Sequence, residues 1–200
     1  MTMVIEKDFF FNALKESNRL KTFKEWFFYQ GMLFGSLETW WGTARCRPSP
    51  HEGLDIGFYK DTTGKLRCLE PGFKVPAVAD GVVYEISDDD FLGKSIFVRH
   101  EIYNETGNIL HSVYAHSIPN GISVNENVCK GDVIATVSDI TDRNLAVSSH
   151  LHISMIWLPE SYPKNLLKWQ LMPKAKEVFL SDPFDYLDCS YSTQKYSFKD

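Results

Sequence analysis

Three short groups hold the residues of this sequence that could do chemistry: His51-Glu-Gly-Leu-Asp55, Tyr114-Ala-His116 and His150-Leu-His152. Imidazole and carboxylate are ligand types that zinc takes at roughly 2.0–2.2 Å, and two histidines with one carboxylate leave a fourth position for water. Such a site is catalytic rather than closed and structural, and its ligand count suits hydrolysis. Each group alone is ordinary. An H-x-H pair occurs in many β proteins, because partial burial is normal for histidine, and neither HEGLD nor a Tyr-Ala-His tripeptide is specific by itself. The signal is their joint occurrence, in this order, each at the edge of an expected strand. His100 in FVRHE and His111 in ILHSVY lack such company and read as satisfied sheet residues or exposed ones.

A strand must carry the H-x-H pair if both rings are to reach one site. Residues two apart on a strand point to the same face, so His150 and His152 can lean together from SSHLHISM. Runs of matching character occur at KVPAVADGVVYEI, KSIFVRHEI, ILHSVYAH, KGDVIATV and SSHLHISMIW. Turn pairs such as Asp80-Gly81, Gly107-Asn108, Asn120-Gly121 and Lys130-Gly131 separate them, which predicts antiparallel hairpins folding into a sandwich or small barrel. Ahead of this β body, apolar residues between Lys7 and Trp41 recur at three and four, the helical period, and predict one or two helices. Gly42, Pro48 and Pro50 end that pattern. After Trp157, a loop with Pro159 and Pro163 leads to a short helix expected around Lys164 to Leu171, and SDPFDYLDCS is expected to pack back on the body. The organisation expected is an N-terminal helical segment over 1–45, a β domain over 46–190 and a tail over 191–200.

Composition removes several classes of function. The 200 residues are 44% hydrophobic and 24% charged, with 12 Gly, 9 Pro and no low-complexity tract, so disorder and collagen-like structure are excluded. With 21 Lys+Arg against 26 Asp+Glu the net charge is −5 and no basic run occurs, which argues against nucleic-acid partners. Nothing approaches the roughly 20 consecutive apolar residues of a membrane span. The first residues, MTMVIEKDFFFNALKESNRLK, lack the basic, apolar and small-residue regions of a secretory signal. Two readings follow, a chain that stays inside the cell or one that starts after processing. Cys46, Cys68, Cys129 and Cys189 show no C-x-x-C spacing, which leaves two disulfides or free buried thiols and argues against a cysteine zinc site.

HEGLD, VYAH and HLH, with P-A-V-A-D-G-V-V between the first two, resemble the H-x-G-x-D, Y-A-H-L and H-L-H patterns of the lysostaphin/LytM-type zinc metallopeptidases. GKSIFVRHE, VNENVCKGDVIATV and DPFDYL are similar to further stretches of that family, so the resemblance runs from about Pro48 to Leu187. It implies a mainly β duplicated hybrid motif fold, antiparallel sheets in a barrel-sandwich arrangement. It also implies Zn2+ held by His51, Asp55 and His152, with His116 and His150 as the catalytic pair. The substrate implied is a peptide cross-link of bacterial peptidoglycan, with glycine or D-alanine at the cut, and the place of action implied is the cell envelope or the outside of the cell.

The sequence departs from the family at four places. VSDITDRNLAVSSHLH has no glycine where relatives have a Gly-rich loop, and insertions occur at FYKDTTGKLRCLEPGFK and LPESYPKNLLKWQLMPKAKEVFL. The N-terminal segment has no counterpart in the minimal domain and reads first as a cap on the core. Three rivals compete with the peptidase reading, one of them a cytoplasmic metal-binding protein of unknown role, which the lack of a secretory signal keeps open. A biotinyl or lipoyl carrier domain would share the two β runs around Gly81 and Gly131, but no Met-Lys-Met or Asp-Lys-Ala tripeptide lies between Gly81 and Val124. A catalytically inactive member of the fold, binding peptidoglycan or activating a hydrolase, would usually have lost a ligand, and none of the five is missing.

Overall fold

The computed structural model describes residues 5–43, 45–89, 93–140, 147–168 and 175–197. One α-helix, α1 (Phe9–Ser17), opens the chain, and thirteen strands follow among the described residues. They are β1 (Phe23–Tyr29), β2 (Leu54–Ile56), β3 (Phe58–Asp61), β4 (Leu66–Cys68), β5 (Lys74–Pro76), β6 (Gly81–Asp89) and β7 (Gly93–Tyr103). The remainder are β8 (Ile109–Pro119), β9 (Asn127–Val128), β10 (Val133–Val137), β11 (Leu151–Leu158), β12 (Phe179–Ser181) and β13 (Tyr191–Gln194). A nine-stranded sheet follows the order β12-β11-β8-β7-β6-β9, with β2, β5 and β10 attached to it, and a four-stranded sheet follows β13-β1-β3-β4. The large sheet stays open rather than closing into a barrel. Pairing is antiparallel except between β1 and β13.

The centre of the large sheet is covered on both faces. In β8 every residue from Ile109 to Ser117 is buried. Alternation sends Leu110 and Tyr114 into the main core with Ile96, Val98, Ile153 and Met155, while Val113 joins Phe97, Ile156 and Leu158 in a second cluster on the other face. The insertion after the H-L-H strand builds that second cluster through Tyr162, Leu167 and Val178. A single 3-10 turn at Lys164–Leu166 stands within the span where a short helix was expected, and residues 169–171 of that span lie outside the described residues. Among the described residues no helix is long and apolar enough to cross a membrane.

The N-terminal region departs from the helical expectation. The period read over Lys7 to Trp41 is realised as α-helix only in α1, and Phe23–Tyr29 is a strand. Its residues Trp26, Phe27 and Phe28 are buried in succession, because α1 and the β body cover opposite sides. A strand buried on both faces loses its two-residue alternation, and its aromatic residues favour extended backbone over helix. The hairpin β3–β4 falls in the first insertion, so that insertion supplies the surface on which β1 pairs. Helix α1 buries Phe10, Phe11 and Leu14 in the main core, each burial worth about 1.5–3 kcal/mol. Its C-cap residue Asn18 latches it to β5, donating from Nδ2 to the Lys74 carbonyl at 2.9 Å and accepting the Lys74 N–H at 2.7 Å. All four cysteines are free, and Cys46, Cys68 and Cys129 are exposed rather than buried.

Candidate metal centre and catalytic face

Strand register brings the three sequence groups together. On β11, His152 lies opposite Asp55 of β2 on one side and opposite Ala115 of β8 on the other. The carboxylate of the first group and the Tyr-Ala-His group therefore flank the second histidine of the third. His150 sits just before β11, two residues from His152, at the same end of the sheet. His116 reaches the cluster through a β-bulge. Ser117 pairs with Lys94 and Tyr114 with Ile96, so Ala115 and His116 stand opposite the single residue Ser95. His116 takes φ of 58°, a left-handed conformation costly for a residue with a Cβ, and such strain concentrates at functional positions.

The donor atoms converge. His51 Nε2 lies 3.2 Å from His152 Nδ1 and 3.2 Å from Asp55 Oδ1, and His152 Nδ1 lies 2.8 Å from the same oxygen. The edge of a zinc tetrahedron with 2.0–2.2 Å bonds is roughly 3.4 Å, so these three atoms are spaced slightly tighter than one face of it. The three side chains form a buried group that could hold a divalent ion. Their other atoms are already committed. His51 Nδ1 donates to the Leu33 carbonyl at 3.1 Å, which fixes the proton there and leaves a lone pair on Nε2. His152 Nε2 lies 2.9 Å from Ser154 Oγ, and Asp55 Oδ2 accepts the Trp40 indole N–H at 2.7 Å and lies 3.4 Å from Arg47 Nη2. The glycine of HEGLD has a steric cause, since a Cβ on Gly53 would stand 2.4 Å from the Ile153 carbonyl oxygen and 2.7 Å from His152 Nε2.

His116 and His150 lie beside this trio with ring centroids 5.0 Å apart, and His116 is 5.7 Å from the His152 ring. His150 Nδ1 donates to the Ser148 carbonyl at 2.8 Å, so its Nε2 carries a lone pair, 3.7 Å from Asp55 Oδ1. All five side chains are deeply buried. Burial is the largest influence on each titrating member, and the neighbours decide the outcome. It lowers His116 and His150, and for His116 the adjacent imidazoles push the same way, so both rings are held neutral. Burial would raise Asp55, but the neighbouring His51 and His150 and the hydrogen bond from His152 outweigh it and hold the carboxyl well below its ordinary value. Burial would lower His152, whereas its bond to Asp55 and the carboxylate charge raise it.

The sequence groups thus supply the whole cluster, and the residues around it are the ones that motif reasoning missed. Ser154 was legible in principle, since H-L-H-I-S places it two residues past His152 on the same face. Leu33, Trp40 and Arg47 carried no such signal, because their contacts come from chain pairing between segments that are not periodic. Tyr114 of the Tyr-Ala-His group points away into the main core, where its hydroxyl accepts the Val78 N–H at 2.9 Å and burial pushes its pKa up to about 12. The loop lacking glycine before H-L-H lies in part, at residues 141–146, outside the described residues.

The profile of Peptidase family M23 matches residues 49–163. Among solved structures, the chain is similar to the catalytic domain of the antimicrobial peptidase lysostaphin from Staphylococcus simulans, at 16% identity and a TM-score of 0.49, over 84% of this chain and 94% of that one. It is similar to cbpa from L. salivarius REN at 22% identity and a TM-score of 0.48, over 80% and 86% of the two chains. LytU matches at 19% identity and a TM-score of 0.45, over 78% and 84%. No curated protein matches the sequence.

Proposed function

The chain belongs to Peptidase family M23, and from that membership we propose that it is a zinc-dependent endopeptidase that cuts the peptide cross-links of bacterial peptidoglycan, at glycyl or D-alanyl bonds of the cell wall. The observation that carries the reading is the convergence of His51 Nε2, Asp55 Oδ1 and His152 Nδ1 within 3.2 Å of one another, with two neutral imidazoles alongside. These three residues are the proposed zinc ligands. Zinc, when bound, would acidify a water and polarise the scissile carbonyl.

His150 is the proposed general base. Its Nδ1 proton is held by the Ser148 carbonyl, so Nε2 is the atom that accepts a proton, and burial keeps it unprotonated near neutral pH. His116 is the proposed hydrogen-bond donor to the carbonyl oxygen as charge develops there, and the proton that His150 takes from the water is the one passed on to the leaving amine. The bulge that turns its ring toward the cluster is the local structure this role requires. Asp55 contributes a fixed negative charge, which with one divalent ion leaves the site at a formal charge of about +1.

A silent relative of the fold would be expected to lack at least one of these five side chains, and the chain has them all. The test pairs metal analysis of the purified protein with digestion of purified sacculi, with chelator and after zinc is restored. Stoichiometric zinc and chelator-sensitive release of peptide are expected. A fully zinc-loaded protein that releases no peptide from sacculi or glycyl peptides would overturn the peptidase reading.

A further inference from the structure

The N-terminal region reaches the metal cluster itself. Between Leu33 and Arg47, three groups contact ligand side chains: the Leu33 carbonyl on His51, the Trp40 indole on Asp55 and the Arg47 guanidinium on Asp55. The same segment grips the backbone of His51, through Gly35 N–H to the His51 carbonyl at 2.8 Å and His51 N–H to the Ser36 carbonyl at 3.0 Å. Arg47 is itself anchored, donating to the Gly31 carbonyl at 2.8 Å and the Glu38 carbonyl at 3.2 Å, with its guanidinium 4.4 Å from the Trp41 ring centre.

The two oxygens of Asp55 are divided between two sets of neighbours. Oδ1 faces His51, His150 and His152, whereas Oδ2 faces Trp40 and Arg47. A carboxylate with one oxygen tied down cannot rotate about its last bond, so Oδ1 stays the oxygen that meets the imidazoles. A buried indole needs an acceptor, and any backbone carbonyl would satisfy it. Here it is spent on the one carboxylate of the cluster, and the same ring stands edge-on to His150 at 4.9 Å. Trp40 therefore touches one of the three proposed ligands and one member of the His116–His150 pair.

We propose that Leu33, Trp40 and Arg47 form the outer shell of the metal centre, and that Trp40 is the positioning residue that orients Asp55. The proposal rests on the zinc reading above and goes beyond it, because it assigns the N-terminal region a role in metal binding in addition to capping the core. Outer-shell contacts of this kind change metal affinity by about 10–100-fold when removed.

The test compares wild type with Trp40→Phe, which deletes the N–H while keeping a ring against Phe58 and His150, and with Arg47→Gln. Zinc affinity is measured by chelator competition, and the cobalt-substituted proteins are compared by their visible spectra. Trp40→Phe is expected to bind zinc 10–100-fold more weakly with an altered cobalt spectrum, and Arg47→Gln to show a smaller loss. Unchanged affinity and spectrum in a folded Trp40→Phe protein would overturn the assignment. A second readout needs no metal: the indole N–H resonance of Trp40 in the metal-free protein should move when Asp55 is replaced by Ala. A resonance indifferent to Asp55→Ala would overturn the assignment even if Trp40→Phe fails to fold. Wild type that binds no zinc would instead remove the zinc reading, and this proposal with it.

Discussion

The molecule buries two populations of histidine that differ in what their nitrogens face. His51, His116, His150 and His152 gather around Asp55 at one end of the large sheet. His100 and His111 are as deeply buried, on β7 and β8, and each hydrogen-bonds to a backbone carbonyl instead. His100 bridges the Asp80 carbonyl and Ser112 Oγ, each at 2.8 Å, so both of its nitrogens are used. His111 donates from Nδ1 to the Ile109 carbonyl at 3.0 Å and stacks edge-on against Tyr84. Burial alone thus says nothing about function. What separates the populations is whether lone pairs from different segments converge, and only the first does so, around an anion that pays for their proximity.

The most severe way to break this comparison is to remove a convergent ligand. His152→Ala should lose zinc and activity together, since two donors do not make a closed site. Finding stoichiometric zinc in that variant by metal analysis would refute the ligand assignment. His150→Ala should separate the two properties. It keeps all three proposed ligands, so zinc content should stay at wild type while turnover on sacculi falls by about 10²–10⁴. Equal loss of metal in both variants would mean that His150 belongs among the ligands.

The same contrast explains what could be read from the sequence. His51, Asp55, His116, His150 and His152 were legible because their motifs are short and local, and strand alternation suggested that His150 and His152 share a face. The β body was legible because its turns carry glycine at the required places. Strand β1 was not, because Trp26, Phe27 and Phe28 are covered from both sides and their spacing imitates a helix. Trp40 and Arg47 escaped for a related reason. Their partner Asp55 is close in space through loop pairing, such as the Glu38–Cys46 bridge, which no residue periodicity announces.

His111 sharpens the comparison through pH rather than metal. Burial pushes its pKa down to about 4, so between its ordinary range near 6.5 and that value the unfolded chain binds a proton that the folded chain does not. Its contribution is therefore complete above pH 6.5 and is lost as the pH falls toward 4, by about 3 kcal/mol. His111→Phe in the metal-free protein should flatten the fall in unfolding free energy over that window, measured by urea titration at pH 7 and pH 4.5. Zinc affinity and turnover should not change. A variant whose pH profile overlays wild type would show that His111 is not the group that titrates.

The finest division lies between two serines that hold one histidine from each population. Ser112 Oγ lies 2.8 Å from His100 Nε2 and Ser154 Oγ 2.9 Å from His152 Nε2, with both histidines fully enclosed. Removing either hydroxyl strands a buried ring nitrogen, at about 1–3 kcal/mol. At Ser112 the loss falls on folding, because His100 serves only the core and Ser112 also meets the Tyr114 hydroxyl at 3.0 Å. At Ser154 part of it should appear as metal affinity, because the hydroxyl is the partner of His152 Nε2 and helps hold the ring whose Nδ1 meets Asp55 and His51. Ser112→Ala should therefore lower the melting temperature of the metal-free protein and leave zinc affinity alone, while Ser154→Ala should weaken zinc by about tenfold. Matched losses of zinc affinity in the two variants would mean that the sheet transmits strain between the populations, and that the separation argued from their contacts does not hold.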